Sequence, residues 1–254
     1  MKKILSFILN KMGYSVVSND LQKRFSDIKE EEFWEIYNLC KDYTMTSVER
    51  MYSLYSSVNY VLQNNIEGDF VECGVWLGGS SMLMAKMLKN RNISDRKIYL
   101  YDTYEGMSEP TKMDVSIAGD DADKLMEKEK NNKEESVWCL ADLADVKQNM
   151  KKTGFADENL VYVKGKVEDT LTNDLPMSKI ALLRLDTDWY ESTKHELNVL
   201  YPILNQSGVL LIDDYGHWQG CRQAVDEYFQ EHKINPLMSR VDYTGRVMIK
   251  NKIL

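Results

Sequence analysis

At 254 residues the chain is long enough for one large hydrophobic core and short for two independent ones. Hydrophobic residues make up 43% and charged residues 28%, and no apolar run approaches the roughly 20 residues that span a bilayer. The formal charge of −8 opposes nucleic acid as a partner, because binding a polyanion depends on a basic face that releases counterions.

The first residues, Met1-Lys-Lys-Ile-Leu-Ser-Phe-Ile-Leu-Asn-Lys11, carry an apolar run of only about six residues and no small-residue cleavage site, so no signal peptide is expected. The stretch suits a packing or dimer-interface helix, with an anionic membrane surface as the alternative. A helical preface is predicted over residues 31–64, with a cap at Thr46 and Glu49 three residues on. Cys40, Cys73, Cys139 and Cys221 are far apart and form no C-x-x-C pair, the pattern of buried, reduced thiols in a cytoplasmic protein.

From Phe70 onward, apolar strand-like runs alternate with amphipathic helical stretches, the pattern of a parallel sheet covered by helices on both faces. Strands are predicted at 69–73, 97–102, 159–164, 180–186 and 208–214, the last two apolar throughout and ending in acidic residues. Segments 238–243 and 246–250, separated by Thr-Gly, read as a closing antiparallel hairpin, which makes about seven strands in all. The expected architecture is therefore one domain over 1–254, a doubly wound, mostly parallel α/β sheet over 67–254 behind a preface at 1–66. Between the second and third strands lies an excursion of about 55 residues, 105–157, far longer than a normal connection. Its charge run, 120–135, is either a solvated helix face or part of a helical lid over the strand ends.

Three groups of residues carry chemistry. The turn after the first strand, Glu72-Cys-Gly74-Val-Trp-Leu-Gly78-Gly79-Ser80-Ser81, runs into a helix whose free N–H groups and glycines let a ligand approach the backbone. It lacks the G-x-G-x-x-G dinucleotide fingerprint. Asp102 ends the second strand and can accept both hydroxyls of an adenosine ribose, a turn or cap role being the plainer alternative. An acidic Glu72 suits the ammonium of an amino-acid tail and not a pyrophosphate, which favours S-adenosylmethionine (SAM) over NAD.

The third group is Asp186-Thr-Asp188-Trp-Tyr-Glu191 and Asp213-Asp214-Tyr-Gly-His217-Trp218. Neighbouring strands lie about 4.8 Å apart, so these carboxylates converge and call for a counterion, with Mg2+ the simplest choice. A metal-polarised hydroxyl then needs a base, for which Asp188 or His217 is placed. Trp189, Tyr190 and Trp218 are expected to line an apolar acceptor pocket, or else to cap the core.

With these residues in hand the sequence resembles the macrocin O-methyltransferase family. The motifs are Thr44-Met-Thr-Ser-Val-Glu-Arg50, Gly68-Asp-Phe-Val-Glu-Cys-Gly-Val-Trp-Leu-Gly-Gly79, Tyr101-Asp-Thr-Tyr-Glu-Gly-Met107, Gly165-Lys-Val-Glu-Asp-Thr-Leu171, Leu185-Asp-Thr-Asp-Trp-Tyr-Glu-Ser-Thr193 and Asp213-Asp-Tyr-Gly216. The resemblance implies the Rossmann-like class I methyltransferase fold, SAM as donor, Mg2+ as cofactor, a sugar or glycosylated small molecule as acceptor, and a homo-oligomer. It implies Asp186, Asp213 and Asp214 as metal ligands and Asp188 as general base. It implies a SAM site at Glu72, Gly74 and Asp102, with Asp169 at the adenine and Thr44 and Met45 closing over the cofactor. Competing readings are a catechol-type acceptor, a non-catalytic SAM-binding scaffold and a nicotinamide enzyme.

Overall fold

The computed structural model describes residues 20–131 and 137–251. The amphipathic stretch at 1–11, and the part of the charge run at 132–136, lie outside the described residues. The chain divides into two compact units, 1–35 and 36–254. In the first, helix α1 (Leu21–Arg24) is capped by Asp20, whose side chain accepts from the Lys23 N–H. Trp34 there donates its ring N–H to the Ile28 carbonyl at 3.1 Å. Helix α2 (Glu31–Cys40) begins in this unit and ends in the second.

The second unit holds a seven-stranded sheet of order β3-β2-β1-β4-β5-β7-β6. Its strands are β1 (Asp69–Cys73), β2 (Ile98–Asp102), β3 (Leu160–Lys164), β4 (Ile180–Leu185), β5 (Leu204–Ile212), β6 (Ser239–Arg240) and β7 (Arg246–Ile249). The pairs from β3 to β5 are parallel, and β7 runs antiparallel to both β5 and β6. This is the expected doubly wound α/β sheet with its closing hairpin. The chain winds outward from β1 to β3 and then returns to β4 on the other side of β1, so the crevice at the switch point opens beyond the ends of β1 and β4.

Alternation along the strands sorts side chains to the two faces. Val71 and Cys73 of β1 and Leu183 and Leu185 of β4 join one core cluster with Leu197 and Leu200 of helix α8 (Tyr190–Leu200) and Val225 of helix α9 (Gln219–Glu231). Glu72 and Arg184 project to the opposite face, where helix α3 (Val48–Gln63) and helix α4 (Gly79–Asn90) pack.

The boundaries depart from expectation in three places. Strand β5 starts at Leu204, ahead of Gly208, because a register shift opposite Ile180 and Leu182, with Ser207 at φ 64°, absorbs the polar Asn205–Ser207 stretch as a bulge. The preface is broken: α2 passes through a 3-10 turn (Lys41–Tyr43) into an irregular Thr44–Ser47 link before α3. Ser47, not Thr46, caps α3; its hydroxyl accepts from the Arg50 N–H at 3.1 Å, while the Thr46 hydroxyl accepts from Arg184.

The excursion between β2 and β3 carries helix α5 (Ala122–Glu129) and helix α6 (Leu143–Lys151). On α5, Asp123, Lys124, Glu127 and Lys128 are exposed and Ala122 and Met126 buried, so the charge run is a solvated face on a helix with an apolar underside. The segment before α5 is fixed to α8 and α9. Asp114 is fully buried and accepts from the Tyr190 N–H at 2.8 Å and from the Thr111 N–H and hydroxyl at 2.7 and 2.9 Å. Trp189 donates to the Ser108 carbonyl at 3.0 Å, and Gln219 to the Ser116 carbonyl at 3.0 Å. Among the described residues no helix is long and apolar enough to cross a membrane.

Candidate active site

A cavity of about 540 Å³ lies at the C-terminal ends of the parallel strands. On the β2 side its wall is Tyr43–Thr46, the turn Gly74–Trp76, Ser80, Asp102 and Glu168; on the β5 side it is Asp186–Asp188, Asp213, Asp214, His217, Trp218, Tyr243 and Thr244. The excursion contributes Met107, Ser108, Leu125, Glu129, Val137 and Cys139. Its described part is therefore both a solvated face and a cavity wall.

The turn after β1 exists because of Gly74. Its φ is +83°, and a Cβ there would lie 1.9 Å from the Asp186 carbonyl oxygen, just past the paired ends of β1 and β4. Gly74→Ala is expected to cost about 1–3 kcal/mol from the positive φ alone, with a further loss from displacing Asp186. Thermal unfolding monitored by circular dichroism checks this; an unchanged midpoint would show that the close approach can relax.

Asp102 braces this turn from β2. Its Oδ2 accepts from the N–H groups of Val75 at 2.6 Å and Trp76 at 3.1 Å, and its Oδ1 from the Tyr104 N–H at 2.6 Å. Burial pushes its pKa up, and those backbone hydrogen bonds pull it back. Trp76 (φ 47°), Tyr104 (φ 50°) and Asp188 (φ 65°) all adopt left-handed backbone, so strain gathers around the cavity.

On the β5 side, Asp186, Asp188 and Asp214 each bring an oxygen to within 4.8 Å of the others. Asp213, expected among them as a metal ligand, lines the same cavity but has both oxygens engaged by arginines. Its Oδ1 accepts from Arg184 Nη2 at 2.8 Å and its Oδ2 from Arg50 Nη1. Arg184 also lies 2.7 Å from Glu72 Oε1 and 2.7 Å from Asp186 Oδ2, and donates to Thr46 Oγ1 at 3.1 Å. Arg50 Nε reaches Asp242 at 3.0 Å.

Glu72 is therefore not where the sequence led us to expect it. It is fully buried and off the cavity wall, with one oxygen on Arg184 and the other accepting from the Ser81 hydroxyl. It supports the site from beneath, through Arg184 and the start of α4. Asp169, on the one-turn helix α7 (Val167–Thr170), is exposed and also off the wall, while its neighbours Lys166, Val167 and Glu168 line it. Trp189 and Tyr190 do not form an acceptor pocket: Trp189 is 1% exposed beneath Trp218, and Tyr190 turns its hydroxyl to Glu227 and Lys194. Trp218 alone of the three lines the cavity. Thr44, Met45, Gly74, Ser80, Asp102, Asp186, Asp188, Asp213, Asp214 and His217 all line this one cavity.

Two arginines do not neutralise this many carboxylates. No salt bridge reaches Asp188 or Asp214 among the described residues, and Asp214 Oδ2 is buried with no hydrogen-bond partner. Burial raises the pKa of Asp186 and Asp214 well above the usual carboxylate value; the Arg184 charge opposes this at Asp186, and the Asp188 charge adds to it at Asp214. Burial raises Asp188 to about 7, with its contact to the Asp214 carboxyl opposing and the Asp186 charge adding. His217 stacks edge-on to Trp218 at 4.9 Å, and burial followed by the Arg50 charge lowers its pKa, so the imidazole is neutral at pH 7. Three hard oxygen donors, one of them an orphaned buried oxygen, fit a divalent cation such as Mg2+.

Arg50, Arg184, Asp242 and Tyr243 were missed from sequence. Arg184 alone left a signal: an arginine inside a strand apolar on both faces needs a buried anion.

The family model described as Macrocin-O-methyltransferase (TylF) matches residues 21–250. The 8-demethyl-8-(2,3-dimethoxy-alpha-L-rhamnosyl)-tetracenomycin-C 4'-O-methyltransferase of Streptomyces olivaceus is 34% identical over 203 residues, 80% of this chain and 74% of that one. The demethyldecarbamoylnovobiocin O-methyltransferase of Streptomyces niveus is 32% identical over 203 residues, with the same shares. The solved structure of the O-methyltransferase NovP superposes with a TM-score of 0.71 at 31% identity, covering 83% of each chain. Matched along nearly its whole length and built on the same sheet, the chain belongs to the macrocin O-methyltransferase family, and is an O-methyltransferase with the class I SAM-methyltransferase fold.

Proposed function

We propose that this O-methyltransferase takes its methyl group from SAM, requires Mg2+, and methylates a hydroxyl of a sugar or a glycosylated small molecule. The observation that carries this reading is the meeting of Asp186, Asp188 and Asp214 on the wall of the same cavity that Gly74 and Asp102 enter from the other side. The relative named for a rhamnosyl-tetracenomycin 4'-position supports a sugar as acceptor.

Bound there, SAM supplies a sulfonium methyl group and the divalent cation supplies the positive charge that makes an acceptor hydroxyl more acidic. Asp186 and Asp214 would hold the cation, with Asp188 beside them. Asp188, buried beside Asp186 and Asp214 on the cavity wall, would take the proton of the acceptor hydroxyl, and neutral His217 is the second choice. The N–H groups at the start of α4, with Ser80, would hold the carboxylate tail of the donor, Asp102 its ribose, and Thr44 and Met45 would cover it. Asp213 acts indirectly, keeping Arg50 and Arg184 against the carboxylates.

Radiolabelled SAM, the purified protein and a panel of methyl glycosides and catechols test the reading. Transfer to a glycoside is expected, abolished by EDTA and restored by Mg2+. Turnover unchanged in excess EDTA would remove the metal, absent binding of S-adenosylhomocysteine would remove the donor, and transfer to catechols alone would reverse the acceptor class.

A further inference from the structure

The turn between β6 and β7 carries an exposed aromatic residue on a rigid mount. Asp242 Oδ1 accepts from the N–H groups of Thr244 at 2.9 Å and Gly245 at 2.7 Å, closing the turn on itself. Asp242 Oδ2 then accepts from the Ser47 hydroxyl at 2.7 Å and pairs with Arg50, fixing the turn to the start of α3. Thr244 donates its hydroxyl to the Asp213 carbonyl at 2.7 Å, and the Gly216 N–H donates to the Thr244 carbonyl at 2.9 Å. Gly216 is there for contact: a Cβ would lie 1.9 Å from the Tyr243 carbonyl oxygen. The turn is thus fastened to the loop that bears Asp213, Asp214 and His217.

Tyr243 nevertheless remains 57% exposed while lining the cavity. Its ring stands at 82° to that of His217, with centroids 6.0 Å apart, and its hydroxyl is 3.4 Å from His217 Nδ1. Thr244 beside it is 2% exposed, so the turn buries its threonine as an anchor and leaves its aromatic residue at the cavity mouth. An aromatic ring with an apolar face and a polar edge suits the C–H face of a pyranose, with its hydroxyl available to a sugar oxygen.

We propose that Tyr243, steadied by His217, is an acceptor-binding residue that stacks on the sugar ring bearing the reacting hydroxyl. The inference rests on the glycoside reading above and adds the residue that selects for it. Ring stacking at this position lowers KM for the acceptor and leaves the methyl transfer step to the carboxylates.

The test uses the full chain with Mg2+, SAM and methyl α-L-rhamnopyranoside as the probe, compared across wild type, Tyr243→Phe and Tyr243→Ala. Tyr243→Ala is expected to raise acceptor KM about tenfold with kcat and SAM KM changed less than about twofold, and Tyr243→Phe to stay within about threefold of wild type. Binding of S-adenosylhomocysteine by calorimetry and the thermal midpoint should be unmoved in both variants. An unchanged acceptor KM in Tyr243→Ala, or a loss confined to SAM affinity or stability, overturns the stacking role while leaving the methyltransferase reading intact. A wild type that binds S-adenosylhomocysteine but methylates no glycoside removes the acceptor reading, and this inference falls with it.

Discussion

Arg184→Met lowers the folding stability of the metal-free chain by about 3–5 kcal/mol at neutral pH, read as a fall in the urea midpoint. Arg184 lies within β4 at 2% exposure, and its guanidinium touches Glu72, Asp186 and Asp213 at 2.7 to 2.8 Å. Methionine fills much of the same volume, so the loss is electrostatic: Glu72, at 0% exposure, and Asp213, at 6%, stay in the interior with fewer cationic partners. Arg184→Lys keeps the charge, but a single ammonium cannot span the partners that the planar fork reaches, so an intermediate loss is expected. The deficit shrinks as pH falls, because burial already raises Glu72 and Asp186 toward the neutral form and protonation removes the unpaired charge. A variant as stable as wild type at pH 8 would mean that the carboxylates find water or other partners when the arginine is gone.

This network also marks how far the sequence could be read. The sheet was legible because apolar runs dominate β1, β4 and the second half of β5, and because acidic residues stand where β2, β4 and β5 end. Strand spacing alone brings Asp186 together with Asp213 and Asp214. It does not say which carboxylate each positive charge takes, since that depends on Arg50, which approaches from α3 more than a hundred residues earlier in the chain. Nor does alternation along β1 reveal that Glu72 faces Ser81 under the turn and not the cavity above it. Trp189 illustrates the same limit. An aromatic at a loop start serves equally as a cavity wall or a core plug, and only the contact with Ser108 from the excursion decides for the plug. The bulge at Ser207 was hidden because Asn205-Gln-Ser-Gly208 has the composition of a turn, and pairing with β4 overrides that local preference.

Asp188→Asn is expected to lower kcat/KM for a glycoside acceptor by about 10²- to 10⁴-fold, the range for loss of a positioned base, with S-adenosylhomocysteine affinity little changed. In the metal-free protein Asp188 has a pKa of about 7, above that of a free carboxyl group near 3.9. Between those values the folded state holds a proton that the unfolded chain releases, so this residue makes stability fall as pH rises through the window. Asparagine does not titrate, and the variant loses that slope. Added Mg2+ favours the carboxylate, so at pH 8 it should raise the thermal midpoint of wild type more than that of Asp188→Asn. It should also move the acidic limb of the wild-type rate profile below 7, since the base works only when ionised. Calorimetric scans with and without Mg2+, paired with rates from pH 5 to 9, separate the two roles. If the variant keeps more than a tenth of wild-type turnover while its Mg2+ response is lost, Asp188 serves the cation, and the proton goes to His217, whose lowered pKa leaves its ring free to accept it.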